Sequence, residues 1–349
     1  MRIAVSNRSI ASGDWESVAT FAVEAERLGV HSIWTNEAWA YDAVTPLAFL
    51  AGRTSKIGLG TGIVQIGTRT PANLAMTALT LASMSGGRFM LGLGTSGPQV
   101  IEGWHGAPFA RPIQRTRELI EVFRLAVAGE RVSYDGQIYK LPLPGGEGRA
   151  IRSNAILADV PIYIAALGPR NLELAGELAD GWMGGSFIPE SAEVFLKHIR
   201  AGAAKAGKTL DSMDLHVPLS VEFTDDVDET AKRHARGYGF TFGAMGSLDN
   251  NFYKNAFARQ GFEDEVNEVQ RLWMDGRRDE ARDLVPTELA LKANLIGTPD
   301  MVRDRLRVYR DAGITTLRAG LPGESIEEKL ATLAQLMSLV DEVNAEPRL

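Results

Sequence analysis

One pattern recurs along the chain and decides most of what it can fold into. A short β-rich apolar run is followed by a loop with glycine or polar residues, then by an amphipathic helix. The first unit is Ile3-Ala4-Val5 with Ser6, Asn7 and Arg8 beyond it. Asp14 then reads as the N-cap of a helix carrying Trp15, Val18, Phe21, Ala22, Ala25 and Leu28 at three-to-four spacing before Gly29. Further strands are expected at 32–35, 57–63, 89–93, 162–165, 181–183, 215–223 and 315–319. Helices are expected at about 41–54, 71–84, 114–128 and 191–206, with others opened by Gly168-Pro169 and by the capping box Ser325-Ile326-Glu327-Glu328. Eight strands alternating with helices, the strand runs mostly apolar on both faces, fit a closed parallel (β/α)8 TIM barrel better than an open doubly wound sheet. All 349 residues are then one α/β domain with an irregular insertion near 129–160 and a helical insertion near 228–290.

Composition narrows the chemistry. With no cysteine there is no disulfide framework, thiolate zinc site, iron–sulfur cluster or cysteine nucleophile. The net charge of −7, without a basic run interleaved with aromatics, gives a nucleic acid backbone little to hold. No stretch of about 18 apolar residues and no signal-peptide core occurs, so a cytoplasmic protein without a membrane partner is expected.

In such a barrel the reacting groups come from loops after the carboxyl ends of the strands. Trp34, Trp39, Trp104 and Trp182 lie in or just beyond expected strand ends, with Tyr41 near Trp39 and His105 beside Trp104. A single tryptophan is core packing more often than ligand contact. Their clustering with Gly60, Gly62, Gly92, Gly94, Gly184 and Gly185 points to a broad planar ligand, because glycine lets a flat molecule approach the backbone. Gly92-Leu93-Gly94-Thr95-Ser96-Gly97 fits a dinucleotide fingerprint, but Pro98 follows where a helix should start and no acidic strand end comes about 20 residues on. The histidines at 31, 105, 198, 216 and 234 lack ligand spacing, so no metal is expected. No G-x-S-x-G elbow is found. Small residues Ala165-Ala166-Leu167-Gly168 before Pro169-Arg170-Asn171 would offer free helix N–H groups to a phosphate, although every βα unit has such a helix start.

Five segments carry a family resemblance: Gly60-Thr61-Gly62-Ile63-Val64, Thr68-Arg69-Thr70-Pro71, Ser85-Gly86-Gly87-Arg88-Phe89, Leu91 through Gly97, and Glu177-Leu178-Ala179-Asp180-Gly181-Trp182. Together and in this order they resemble the luciferase-like flavin and deazaflavin oxidoreductases, specifically the coenzyme F420-dependent branch related to methylene-tetrahydromethanopterin reductase. The resemblance implies a luciferase-like barrel holding the deazaflavin at its carboxyl face, usually as a homodimer, with a non-prolyl cis peptide around Gly62-Ile63. It implies Asn36 and Glu37 beside the ring, Gly62, Ile63 and Val64 supporting it, and Gly94, Thr95 and Ser96 at the ring or its ribityl chain. Ala166, Leu167, Gly168 and Pro169 would receive the phosphate. Asn7, Trp39, Trp104 and Trp182 are the expected substrate pocket. The chain also departs from the family: Asn36-Glu37 stands where members oxidising sugar phosphates or alcohols have an Asp-His pair, and Gly97 stands where they have an acid.

The proton-handling residues therefore do not carry over. Glu37, if buried against Trp34 and Trp39, would have a raised pKa and could move a proton; its alternative role is to accept hydrogen bonds from the loop. Glu102 and His105 form a second candidate pair, and Glu37 and His105 are the expected catalytic residues. Arg8, Arg69, Arg111 and Arg170 are candidates to meet anionic parts of the cofactor. The leading reading is hydride transfer between the deazaflavin and a small, apolar or planar organic substrate. The alternatives are an FMN-dependent monooxygenase, a non-catalytic deazaflavin-binding protein, and a cofactor-free isomerase or lyase with Glu37 as base. Phe240, Phe242, Phe252, Tyr253 and Phe257 of the helical insertion would cap the pocket, form a dimer contact or simply pack helices.

Overall fold

The computed structural model describes residues 1–6, 13–245 and 251–347. Its centre is a closed ring of eight parallel strands: β1 (Arg2–Ser6), β2 (Ser32–Thr35), β3 (Gly58–Thr61), β4 (Phe89–Gly94), β5 (Ile162–Ala165), β6 (Gly181–Met183), β7 (Asp214–Phe223) and β8 (Thr316–Gly320). Neighbours in the chain pair in sequence, and β8 closes on β1 with Ala4 opposite Arg318. This is the expected TIM barrel. Helices α1 (Trp15–Arg27), α2 (Thr45–Ala51), α3 (Pro71–Ser85), α4 (Pro112–Val127), α5 (Pro169–Leu178) and α6 (Glu193–Lys205) surround it. No helix among the described residues is long and apolar enough to cross a membrane.

Local chemistry sets the helix ends. Asp14 caps α1 by accepting from the Ser17 N–H at 3.1 Å, and Thr70 caps α3 ahead of Pro71. The α2 helix starts later than its pattern suggests, because the Asp42 carboxylate takes the N–H groups of Val44 and Thr45, both at 2.8 Å, in a turn that precedes it. The Ser85-Gly86-Gly87-Arg88-Phe89 motif proves to be structural: Gly86 ends α3 at φ 64°, and the Arg88 guanidinium donates to carbonyls of Ala51, Thr54, Ile57 and Ser85. The irregular insertion contains a hairpin, pairing Tyr134–Asp135 with Lys140–Leu141, and Glu118 on α4 anchors it through the N–H groups of Gln137, Ile138 and Tyr139.

The second insertion comprises α7 (Val227–Ala244), α8 (Phe252–Phe257), α9 (Glu263–Met274), α10 (Arg278–Asp283) and α11 (Thr287–Ala293), packed about Phe242, Phe257, Val266, Val269 and Leu289. Gln260 ties it to the loop after β6, donating to the Ser186 carbonyl at 2.6 Å and accepting from the Ile188 N–H at 2.7 Å. A short strand, Leu295–Gly297, then pairs with β7 outside the ring and leads into α12 (Pro299–Asp311), the crossover to β8. The strand was not expected, since three residues are too few for a periodic signal, and α12 was not among the expected helices either. The chain ends in α13 (Ile326–Ala345), opened by the expected capping box.

The barrel interior departs from the expected apolar filling. Period-two alternation sends Ile3, Val5, Ile33, Leu59, Leu91, Ile162 and Leu215 outward to the helices, and turns inward Arg2, Trp34, Met90, Tyr163, Met183, Asp214, His216 and Arg318. At the amino end Asp214 accepts from Arg2 at 2.8 Å, Thr316 at 2.7 Å, Tyr163 at 3.0 Å and the Thr315 hydroxyl. Burial opposes its ionisation, but the Arg2 charge and the two threonine hydroxyls hold its pKa below the ordinary value. Above it the Trp34 indole meets Tyr163 and His216 edge-on at centroid distances of 5.0 and 4.9 Å. Gly60 makes room for that indole: a Cβ there would lie 2.3 Å from the Trp34 ring.

Gly60→Ala should therefore destabilise the fold by at least about 1–3 kcal/mol, read from urea unfolding midpoints. A second expectation concerns acid. Burial, with the nearby Arg318 charge, pushes the His216 pKa from 6.5 down to about 3, so the folded chain refuses a proton that the unfolded chain accepts. Stability from this group is present above pH 6.5 and is lost as pH falls toward 3, at about 1.4 kcal/mol per pH unit. His216→Leu should flatten that limb of a stability-versus-pH curve.

Candidate active site at the carboxyl end of the barrel

The strand ends gather most of the expected residues around one mouth. After β2, Asn36 accepts from the Ser6 hydroxyl at 3.0 Å, which fixes its amide across the β1–β2 seam. Glu37 does not pack between Trp34 and Trp39 as expected. Trp34 lies inside the barrel, Trp39 is 67% exposed, and the Glu37 carboxylate forms a bidentate pair with Arg69 at 2.6 and 2.8 Å. It also accepts from the Ala43 N–H at 3.0 Å, while Gln65 donates to its backbone carbonyl at 3.1 Å. The Arg69 pKa is raised, first by the hydrogen bonds to Glu37 and then, against the opposing burial, by the charges of Glu37 and Asp42. Arg69 of the Thr68-Arg69-Thr70-Pro71 motif is thus committed to this pair, which ties the loop after β2 to the entry of α3.

The Gly62–Ile63 peptide is cis, in agreement with the family resemblance. Beyond it the chain rejoins the sheet, with Val64 opposite Leu93 and Gln65 opposite Gly94. The glycines here serve the protein's own packing more than was expected. A Cβ on Gly92 would lie 1.9 Å from the Thr61 carbonyl oxygen, one on Gly94 2.8 Å from the Ile63 side chain, and one on Gly184 2.6 Å from the Trp182 ring. Thr95 and Ser96 follow at the rim, Ser96 in the left-handed region at φ 55°. A wide-turn helix at Gln99–Trp104 then carries Trp104, 65% exposed, and His105, also exposed. Glu102 beside them accepts from the Phe109 N–H at 3.2 Å. A shallow cleft next to this rim, with room for little more than a water, is lined by Ile66, Thr95, Phe109 and Arg115 among others.

After β5, the Ala166 carbonyl accepts from the Trp182 indole at 2.9 Å, and Gly168 enters α5 with nothing within 4 Å of where its Cβ would be. The first turn of this helix has no side-chain cap. Sequence reasoning missed the residue that completes this corner. Arg259, from the helical insertion, donates to the Leu167 carbonyl at 2.7 Å and stands beside the helix start. It is 92 positions from its partner, so no local pattern could have paired them.

Trp182 requires a correction. It faces outward from β6, is fully buried, and packs on Phe187 and Phe195 at centroid distances of 6.0 and 5.7 Å, so it belongs to the helix layer and not to a substrate pocket. The alternation that places Met183 inside forces Trp182 outside. Asn7 and Arg8 lie outside the described residues. Phe242 and Phe257 are core of the insertion, and Phe240, Phe252 and Tyr253 are on its surface.

A positioning role for the Glu37–Arg69 pair has a measurable signature. Arg69→Met leaves a nearly buried carboxylate without its cation and should destabilise the fold by about 3–5 kcal/mol, and Arg69→Met with Glu37→Gln should recover much of that loss. Urea unfolding of the two single variants and the double variant gives the coupling energy.

Comparison with known proteins agrees with this geometry. The sequence profile of the luciferase-like monooxygenase family matches residues 2–316. A protein of Mycobacterium tuberculosis named as a coenzyme F420-dependent oxidoreductase is 38% identical over 308 residues, covering 86% of this chain and 89% of that protein. The 5,10-methylenetetrahydromethanopterin reductase of Methanolobus tindarius is 32% identical, covering 90% of this chain and 93% of the relative. Among solved structures, the coenzyme F420-dependent tetrahydromethanopterin reductase of Methanopyrus kandleri superposes with a TM-score of 0.79 at 25% identity over 98% of each chain. This chain therefore belongs to the luciferase-like monooxygenase family.

Proposed function

We propose that this protein is a coenzyme F420-dependent oxidoreductase that transfers a hydride between the deazaflavin and a small organic substrate. The observation that carries the reading is the pairing of two features across one mouth: the Gly62–Ile63 turn with Ile63 over Gly94, and the uncapped start of α5 at Gly168 beside Arg259. A flat ring against the first and a phosphate at the second fit the donors present, since free N–H groups, a helix dipole and a guanidinium together favour an anion. When bound, the cofactor supplies the two-electron redox chemistry. The chain's own residues then bind and orient. Gly62, Ile63 and Val64 support the ring, Asn36, Gly94, Thr95 and Ser96 border it, and Ala166, Leu167, Gly168 and Pro169 receive the phosphate with Arg259.

Glu37 takes a positioning role in this reading, since three donors already occupy its carboxylate. His105 on the rim is the residue assigned to proton transfer. The exposed Trp39 and Trp104 suit an apolar or planar substrate, and a second copy of the chain in a cytoplasmic homodimer would shelter them.

The test is to titrate the purified protein with F420 and, separately, with FMN. F420 should bind the more tightly, and Arg259→Met should weaken it by about tenfold, or roughly 1.4 kcal/mol, with little change in unfolding. Tighter FMN binding with substrate-dependent oxygen consumption would instead make the protein a monooxygenase.

A further inference from the structure

Arg318 is a charged group of the barrel interior that the function above leaves unused and that, unlike Arg2 and Asp214, has no ion-pair partner among the described residues. It points inward from β8, and the residues beside it in register are Ala4 and Pro218, neither of which has a side-chain acceptor. Its guanidinium reaches across the barrel axis to the cis bulge: a Cβ on Gly62 would lie 2.7 Å from Nη1, with Met183 and Trp34 alongside. The side chain is half-buried, yet Nη1 itself is sealed from solvent and has no hydrogen-bond partner. No carboxylate pairs with it among the described residues. The titratable groups that bear on it are His216 on β7, held neutral by burial, and the Tyr253 phenol of the insertion. Burial pulls the Arg318 pKa down to about 10, as expected for a cation set in protein without a counter-ion.

A buried guanidinium with an unmade hydrogen bond is a standing cost unless a ligand supplies the acceptor. Nη1 itself is closed off, so a resident ligand would meet the guanidinium through the part of the half-buried side chain that solvent reaches, at the wall beside Gly62 where the ring is read to lie. The deazaflavin ring carries an acidic hydroxyl conjugated to its pyrimidine oxygens, and its anion spreads negative charge over planar oxygen acceptors that suit a guanidinium. We infer that Arg318 is the counter-ion of the deazaflavin ring anion, selecting the deprotonated chromophore at the floor of the mouth. This rests on the F420 reading above.

The ring's protonation changes its visible absorbance, so the bound cofactor can be titrated directly, without turnover. In the wild-type protein the bound ring should lose its proton at lower pH than the free cofactor. Arg318→Met should move that midpoint up by at least about one pH unit and weaken F420 binding about tenfold at pH 8. The two affinities should converge at a pH where the ring is neutral, and Arg318→Lys should recover part of the shift. Equal midpoints in wild type and both variants overturn the inference. So does a normal cofactor titration with a raised substrate KM, which assigns Arg318 to the substrate. Failure of the wild-type protein to bind F420 at any pH removes the functional reading itself and this inference with it.

Discussion

Closing eight parallel strands into a ring obliges alternate side chains to share one narrow cylinder, and the rest of this structure follows from how that space is filled. Two large rings, Trp34 and Tyr163, enter it together with His216, and they fit because Gly60 and Gly181 stand where side chains would otherwise collide with them. A polar floor of Asp214, Arg2, Thr315 and Thr316 closes the amino end, and its hydrogen bonds offset the burial of a carboxylate. Toward the carboxyl end the inward side chains finish with Arg318, whose Nη1 has no hydrogen-bond partner among the described residues.

The mouth is held by contacts between loops that are far apart in sequence. Glu37 and Arg69 lock the loop after β2 to the entry of α3, Gln260 and Arg259 tie the helical insertion to the loops after β6 and β5, and Arg88 gathers carbonyls at the opposite end of the barrel. These are charge-assisted or buried hydrogen bonds, stronger than solvated surface pairs. They brace the loops around the mouth while leaving Trp39 and Trp104 exposed. In the proposed function, that combination suits a molecule held at its ring and phosphate, with the substrate approaching from solvent.

Several residues read as ligand contacts turned out to hold the protein together, and the reason is the same each time. Gly92 and Gly184 are small because the Thr61 carbonyl and the Trp182 ring occupy the space, and Trp182 is at a strand end yet faces the helices. A sequence marks where a residue type is required but not which neighbour requires it. The strand-end positions at Asn36, Gly62, Gly94 and Gly168 were legible because the barrel's topology puts carboxyl-end loops on one face. Arg259 and Arg318 were not: one comes from an insertion, and the other sits mid-strand, where an arginine reads as an ordinary surface residue.

The sequence by itself determined the order of the eight barrel strands, most of the helices between them, the closed barrel and the family, because periodicity, caps and glycine-rich strand ends are local properties. Tertiary structure alone decided which face of each strand looks inward, that Glu37 is bound to Arg69, and that Arg318 Nη1 lies against Gly62 with no hydrogen-bond partner among the described residues. Those outcomes depend on which residues meet across the ring, and pairings between strands 1 and 8, or between a loop and an insertion 92 positions away, leave no trace in local sequence.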